Sequence, residues 1–111
     1  MKLPLDTIIS EEKLREYLLA RRNEDDKSGF LALAGYDLTF FWHLLETDMR
    51  QLIHDQDAEL LRKTPYGEMY KITGRLIGPN GRALNIVTIW ITLSETGETR
   101  FVTLFPNKEI R

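Results

Sequence analysis

The hydrophobic rhythm of this chain changes near Asp57, and that change decides most of what it can fold into. Before it, Leu38, Phe41, Trp42, Leu45, Met49 and Leu52 recur at i, i+3, i+4 and i+7, the spacing that lines one face of a helix. Asp37 stands at a capping position, so the pattern predicts a helix over about 38–55, with His43, Thr47, Arg50 and His54 on its other side. After Asp57 the side chains alternate. Residues 58–63 suit a short strand closed by Pro65-Tyr66-Gly67, and residues 68–77 place Tyr70, Ile72 and Leu76 opposite Lys71, Thr73 and Arg75. Pro79-Asn80-Gly81 is a hairpin turn, because Asn and Gly tolerate the positive φ such turns need. Residues 82–93 form the longest strand, with Val87, Ile89, Ile91 and Leu93 toward the core and Thr88, Trp90 and Thr92 on the open side. Glu95-Thr96-Gly97-Glu98 turns the chain again, and the last strand, 99–105, is stopped by Pro106.

Upstream, Pro4 and Thr7-Ile8-Ile9 read as an extended entry. Ser10 is a good N-cap, and Glu11 and Glu12 suit the positive end of the helix that follows. That helix runs to about Ala20 with Leu14, Tyr17 and Leu18 as its buried stripe, and Arg21 and Arg22 fall at its negative end. Asn23-Glu24-Asp25-Asp26 has nothing apolar to bury and reads as a hydrated loop. A short apolar helix over Lys27 to Ala34 then ends at Gly35, suited to a left-handed conformation. Helices first and strands afterwards predict an α+β domain, with two to three N-terminal helices packed on one face of a C-terminal antiparallel meander of about four strands. Its length of 111 residues suits a single domain over 1–111, the helical half at about 8–55 and the meander at about 58–106.

Composition narrows the chemistry. There is no cysteine, so disulfides, thiolate metal sites and cysteine nucleophiles are excluded. A net charge of −2 gives no general electrostatic footprint for nucleic acid, although a local basic patch remains open. Neither a signal-peptide run nor a membrane-length apolar stretch is present, and the expected location is the cytoplasm, away from membranes. His43 and His54 lie roughly 16 Å apart along one helix, too far for one metal, and Glu24-Asp25-Asp26 lacks the alternate ligand spacing of a calcium loop. No metal or other cofactor is expected. Gly78-Pro79-Asn80-Gly81 lacks the Gly-Lys-Ser/Thr ending of a phosphate loop and serves the turn.

Five ordered motifs carry a resemblance: Lys27-Ser28-Gly29-Phe30-Leu31-Ala32-Leu33-Ala34-Gly35-Tyr36, Tyr66-Gly67, Gly78-Pro79-Asn80-Gly81-Arg82, Val87-Thr88-Ile89-Trp90-Ile91 and Arg100-Phe101-Val102-Thr103-Leu104-Phe105-Pro106. Together they resemble a family of small uncharacterised bacterial domains, common in cyanobacteria, that also occurs at the ends of polymorphic toxins. The first motif is loosened here by Gly29 and Ala34, and Phe105 stands where many members carry Tyr, so any chemistry of that hydroxyl is lost. The resemblance implies a toxin-like or toxin–antitoxin-associated role. The order of elements is also similar to the barnase, EndoU, colicin and RelE group of RNases, an analogy of fold alone.

Metal-free RNA cleavage needs a group that handles the 2′-hydroxyl proton, cations or hydroxyls for the phosphate charge, and often an aromatic for a base. The candidates are Lys27, Thr88, Arg100 and Thr103 for catalysis, with Lys71, Arg75 and Trp90 for binding. They should converge in one concavity if the domain is catalytic. The alternative is an ordinary exposed sheet face alternating Lys, Arg and Thr for solubility, on a non-catalytic protein-binding or structural module. Partners under these readings are RNA, a protein from a neighbouring gene, or a second copy meeting through Phe40 and Leu44.

Overall fold

The change of rhythm falls where the chain leaves its last helix for its first strand. The computed structural model of the protein describes residues 1–18, 28–36 and 42–108. Lys27, the loop at 23–26, the cap Asp37 and the aromatics Phe40 and Phe41 lie outside the described residues, as do the side chains of Tyr17 and Leu18. At the N-terminal end the cap forms as expected: Ser10 Oγ accepts from the Lys13 amide at 3.0 Å. The helix that follows, α1 (Lys13–Leu18), is wound with the wider π spacing, and Leu14 on it is fully buried. The short helix α2 (Ser28–Ala32) runs into Gly35 at φ +94°, whose amide donates to Ala32 O while Tyr36 N reaches back to Leu31 O. Helix α3 (Trp42–Asp55) buries Leu45, Met49 and Leu52, as its repeat predicts, and Ile53 beside them; Trp42 is half-buried, and Leu38 and Phe41 lie outside the described residues.

Four strands follow: β1 (Glu59–Thr64), β2 (Gly67–Ile77), β3 (Ala83–Leu93) and β4 (Thr99–Pro106). They pair antiparallel in chain order, so the protein is α+β with its helices ahead of a four-stranded meander. Between β2 and β3, Gly78 N donates to Arg82 O and Gly81 N to Gly78 O, with Gly81 at φ +83°, which is a three-residue loop with its left-handed residue last. Asn80 at the tip ties the hairpin to α2. Its amide donates to Ala34 O and its Nδ2 to Leu33 O, carbonyls that the end of the short helix leaves over. At the far edge the N-terminal segment lies along β4, with Ile8 N on Thr99 O and Phe101 N on Ile8 O. At the near edge β1 is short, and its pairing with β2 ends at Lys71.

The helix-facing side of the sheet carries Tyr70, Ile72 and Leu76 from β2, as the alternation predicts. For β3 the expectation is reversed. Leu84, Ile86, Thr88 and Trp90 face the helices, and Trp90 and Thr88 are fully buried. Val87, Ile89 and Ile91 point to the opposite side, where Val87 is still buried and the two isoleucines are half-buried. The cause is the register: in an antiparallel sheet directly opposed residues share a face, and Ile72 lies opposite Thr88 and Tyr70 opposite Trp90. Helix α3 rests over β2, where the missing side chain of Gly74 leaves room for Leu52. Trp90 meets Phe101 edge to face at 5.3 Å, a pairing that adds about 0.5–1.5 kcal/mol to simple burial.

Among the described residues, the polar side-chain atoms that enter this core are satisfied there. Thr88 Oγ1 donates to Ile72 O at 2.8 Å and accepts from Trp90 Nε1 at 2.7 Å. Tyr36, also buried, donates its hydroxyl to Asp48 Oδ2 at 2.5 Å. Burial first, and then the hydrogen bond and charge of Asp48, raise the Tyr36 phenol well above its ordinary range. Tyr70 is raised as well, chiefly by its hydrogen bond to Glu68.

Replacing Thr88 with Val keeps the shape and removes the acceptor for Trp90 Nε1, so Thr88→Val should lower unfolding stability by about 1–3 kcal/mol in urea titration. Thr88→Ser should lose less. A neutral Thr88→Val would mean that the buried pair does not hold the core. For Tyr36 the neutral form is favoured by folding, so its contribution is complete below the unfolded pKa of about 10 and disappears as pH rises beyond it. Tyr36→Phe should therefore cost about 1.5 kcal/mol at neutral pH, the scale of a hydrogen bond to a charged partner, and flatten the alkaline loss of stability. An unchanged slope between pH 9 and 11 would contradict this account.

Candidate functional site

Side chains on the face turned away from the helices stand in rows across the strands. One row runs Glu59, Lys71, Ile89, Thr103, and the next runs Arg62, Met69, Ile91, Arg100. Thr73, Val87 and Phe105 form a third, and Arg75 stands opposite Asn85. Strands lie about 4.8 Å apart, so Lys71 and Thr103 are about 10 Å from each other, with Ile89 between them. The pattern across the face is an apolar column on β3, flanked by cations on β1 and β2 and by Arg100 and Thr103 on β4. Lys71 Nζ reaches Glu59 Oε2 at 3.4 Å, and Arg100 pairs with Glu98 at 3.1 Å. Arg62 and Arg75 have no ion pair among the described residues. This is a local basic surface on a chain whose net charge is −2.

The sequence-derived site residues are therefore divided by the sheet. Lys71, Arg75, Arg100 and Thr103 share the open face. Thr88 and Trp90 belong to the buried face, where the Thr88 hydroxyl is committed to Ile72 O and the indole. The expected convergence of Thr88 with Arg100 does not occur, because register puts them on opposite sides. Lys27 is outside the described residues. The two histidines are on α3, away from the open face and exposed: His43 stacks on Trp42 at 3.6 Å, and His54 meets Asp55 at 3.1 Å. The open face thus offers cations for an anion, Arg62 and Arg75 without an ion pair among the described residues and Lys71 and Arg100 each beside a glutamate. Its carboxylate, Glu59, is already paired with Lys71.

A second feature was not visible as a motif. Beyond Lys71 the edge of β2 runs beside α3, and the space between them is a groove of about 730 Å³. Asp48, Gln51 and Asp55 form its helical wall, and Thr73, Arg75 and Ile77 its strand side. The Gln51 amide holds Asp55 at 3.0 and 3.1 Å, and this bond, with His54 in support, keeps the Asp55 carboxyl below its ordinary pKa. The spacing of positions 48, 51 and 55 along one helix is the signal that sequence reading could have used. Among the described residues no cluster of three or more His, Cys, Asp or Glu could hold a metal, and no helix is long and apolar enough to cross a membrane.

The same architecture is found in the contact-dependent growth inhibition toxin–immunity protein complex from Klebsiella pneumoniae 342. One chain of it superposes with a TM-score of 0.69 at 20% identity, covering 91% of this chain and 100% of that one. At that identity the likeness is one of fold. Comparison with curated proteins finds no match. A family model for a domain of unknown function, DUF6883, matches residues 5–108. With nearly its whole length inside that match, the chain belongs to the DUF6883 family.

Proposed function

We propose that this chain is the partner-binding member of a toxin-associated protein pair, and that its open sheet face grips an acidic surface of the other protein. The observation that carries this reading is the arrangement of Arg62, Lys71, Arg75 and Arg100 around the half-buried Ile89 and Ile91, with buried Val87 continuing the column. An apolar centre with a charged rim is the usual anatomy of a protein interface, and the rim's charge selects the partner's sign. The fold likeness to a toxin–immunity complex supports a protein partner, and membership of the family is compatible with it. RNA cleavage, the other reading of the same cations, would need a proton acceptor that the open face does not leave unpaired among the described residues.

The test is co-expression with the product of the adjacent gene. A stable complex should appear by light scattering, and Lys71→Glu with Arg100→Glu should weaken it about a hundredfold, two charge contacts at about 1.4 kcal/mol each. Cells expressing the chain alone should keep growing with intact RNA. Fragmented RNA in those cells, abolished by Arg100→Ala, would replace this reading with the RNase one. A homodimer that excludes the neighbouring gene product would also overturn it.

A further inference from the structure

Strand β2 continues six residues past its last pairing with β1, and the direction of its backbone groups there can be read from the turn. Gly78 N donates to Arg82 O, so Gly78 points toward β3, and the even-numbered residues of β2 do the same. Thr88 Oγ1 on Ile72 O agrees with that parity. Thr73, Arg75 and Ile77 therefore turn their N–H and C=O groups outward. Among the described residues, one of these six groups has a partner: Ile77 O, which accepts from Tyr36 Oη at 3.4 Å. Those outward groups face the groove whose other wall is Asp48, Gln51 and Asp55 of α3.

We propose that this groove receives an extended segment of another protein, which adds to β2 as a strand in the space beyond the end of β1. An exposed row of backbone donors and acceptors spaced along a strand is matched by another strand, and main-chain bonds would supply the affinity. Side-chain choice comes from the walls. Every second residue of the incoming strand faces α3, where the two carboxylates favour Lys or Arg, and the alternate residues lie on the open side beside Ile77 and Thr73. A second copy of this chain fits poorly. Antiparallel pairing of two such edges about Arg75 would set the two Arg75 side chains directly opposite each other and bring the acidic helices together, both like-charge contacts. The occupant is a basic, strand-forming stretch of a different protein. This goes beyond the open-face reading and stands without it, since it uses backbone groups and a wall that the face does not include.

The experiment uses a capped seven-residue peptide of alternating Thr and Lys, with hydrogen exchange followed residue by residue by NMR. Bound peptide should slow exchange at the amides of Thr73, Arg75 and Ile77. The same peptide with Glu for Lys should bind at least about tenfold more weakly, and one N-methylated at alternate residues should not protect those amides. Arg75→Pro removes an N–H that points out of the sheet, a place where an edge strand tolerates proline, so it should fold and fail to bind. Arg75→Ala should fold and bind. Lys71→Glu with Arg100→Glu should leave peptide binding intact, which separates failure of this site from failure of the open face. Protection elsewhere with peptide bound, equal binding by Arg75→Pro, or slow exchange at these three amides in the free protein would each overturn the proposal.

Discussion

The hydrogen bond from Gly78 N to Arg82 O is short-range, but the rest of the molecule follows from it. By closing the β2–β3 hairpin on a three-residue loop it sets the parity of both strands. It thereby decides that Thr88 and Trp90 meet the helices while Val87, Ile89 and Ile91 do not. A shift of one residue would exchange the two faces entirely. It would put Trp90 on the same face as Lys71 and Arg75, so that either the indole stands in water or the two cations are driven under α3. The Thr88–Trp90–Ile72 hydrogen bonds act as a lock on that choice, because they are satisfied in one register only. Asn80, fastened to the end of α2, ties the same hairpin to the helical layer.

The open face and the groove are both products of this register and of two strand lengths. The open face is cationic because the odd-numbered residues of β2 carry Lys71 and Arg75 on the side the helices do not cover. The groove exists because β1 stops at Lys71 while β2 continues to Ile77, with α3 alongside. Opposite charge signs then distinguish the two surfaces. Acidic side chains gather on α3, basic ones on the sheet, and a net charge near zero conceals the division.

The described part of the helical half and the boundaries of the meander's strands are legible in the residues. Leu45, Met49 and Leu52 repeat as a helix must, Ser10 caps where it should, and the turns at Gly35 and Gly81 occupy the left-handed conformations their glycines suggest. The facing of β3 is not legible from its own composition, because both of its faces are apolar, and Val87, Ile89, Ile91 and Leu93 make the more aliphatic set. It becomes legible only when the turn is used as a ruler: counting back equally from Pro79-Asn80-Gly81 pairs Tyr70 with Trp90, and Tyr70 was already assigned to the core. Of the site, the cations on β2 and β4 can be named from sequence, but local alternation, which ignores the neighbouring strand, groups Thr88 with them. The groove depends on where one strand ends relative to another, which no single segment encodes.

The two margins of the sheet differ, and the difference bears on stoichiometry. Along β4 the chain's own beginning is hydrogen-bonded to Thr99 and Phe101, and the Lys13 amine reaches Val102 O. Polymerisation by strand exchange requires each molecule to offer both a donor margin and an acceptor margin, so that every addition creates the next. Here that stretch of one margin is occupied from within, so a series of strand additions finds no open acceptor along Thr99 to Val102 and cannot pass through it.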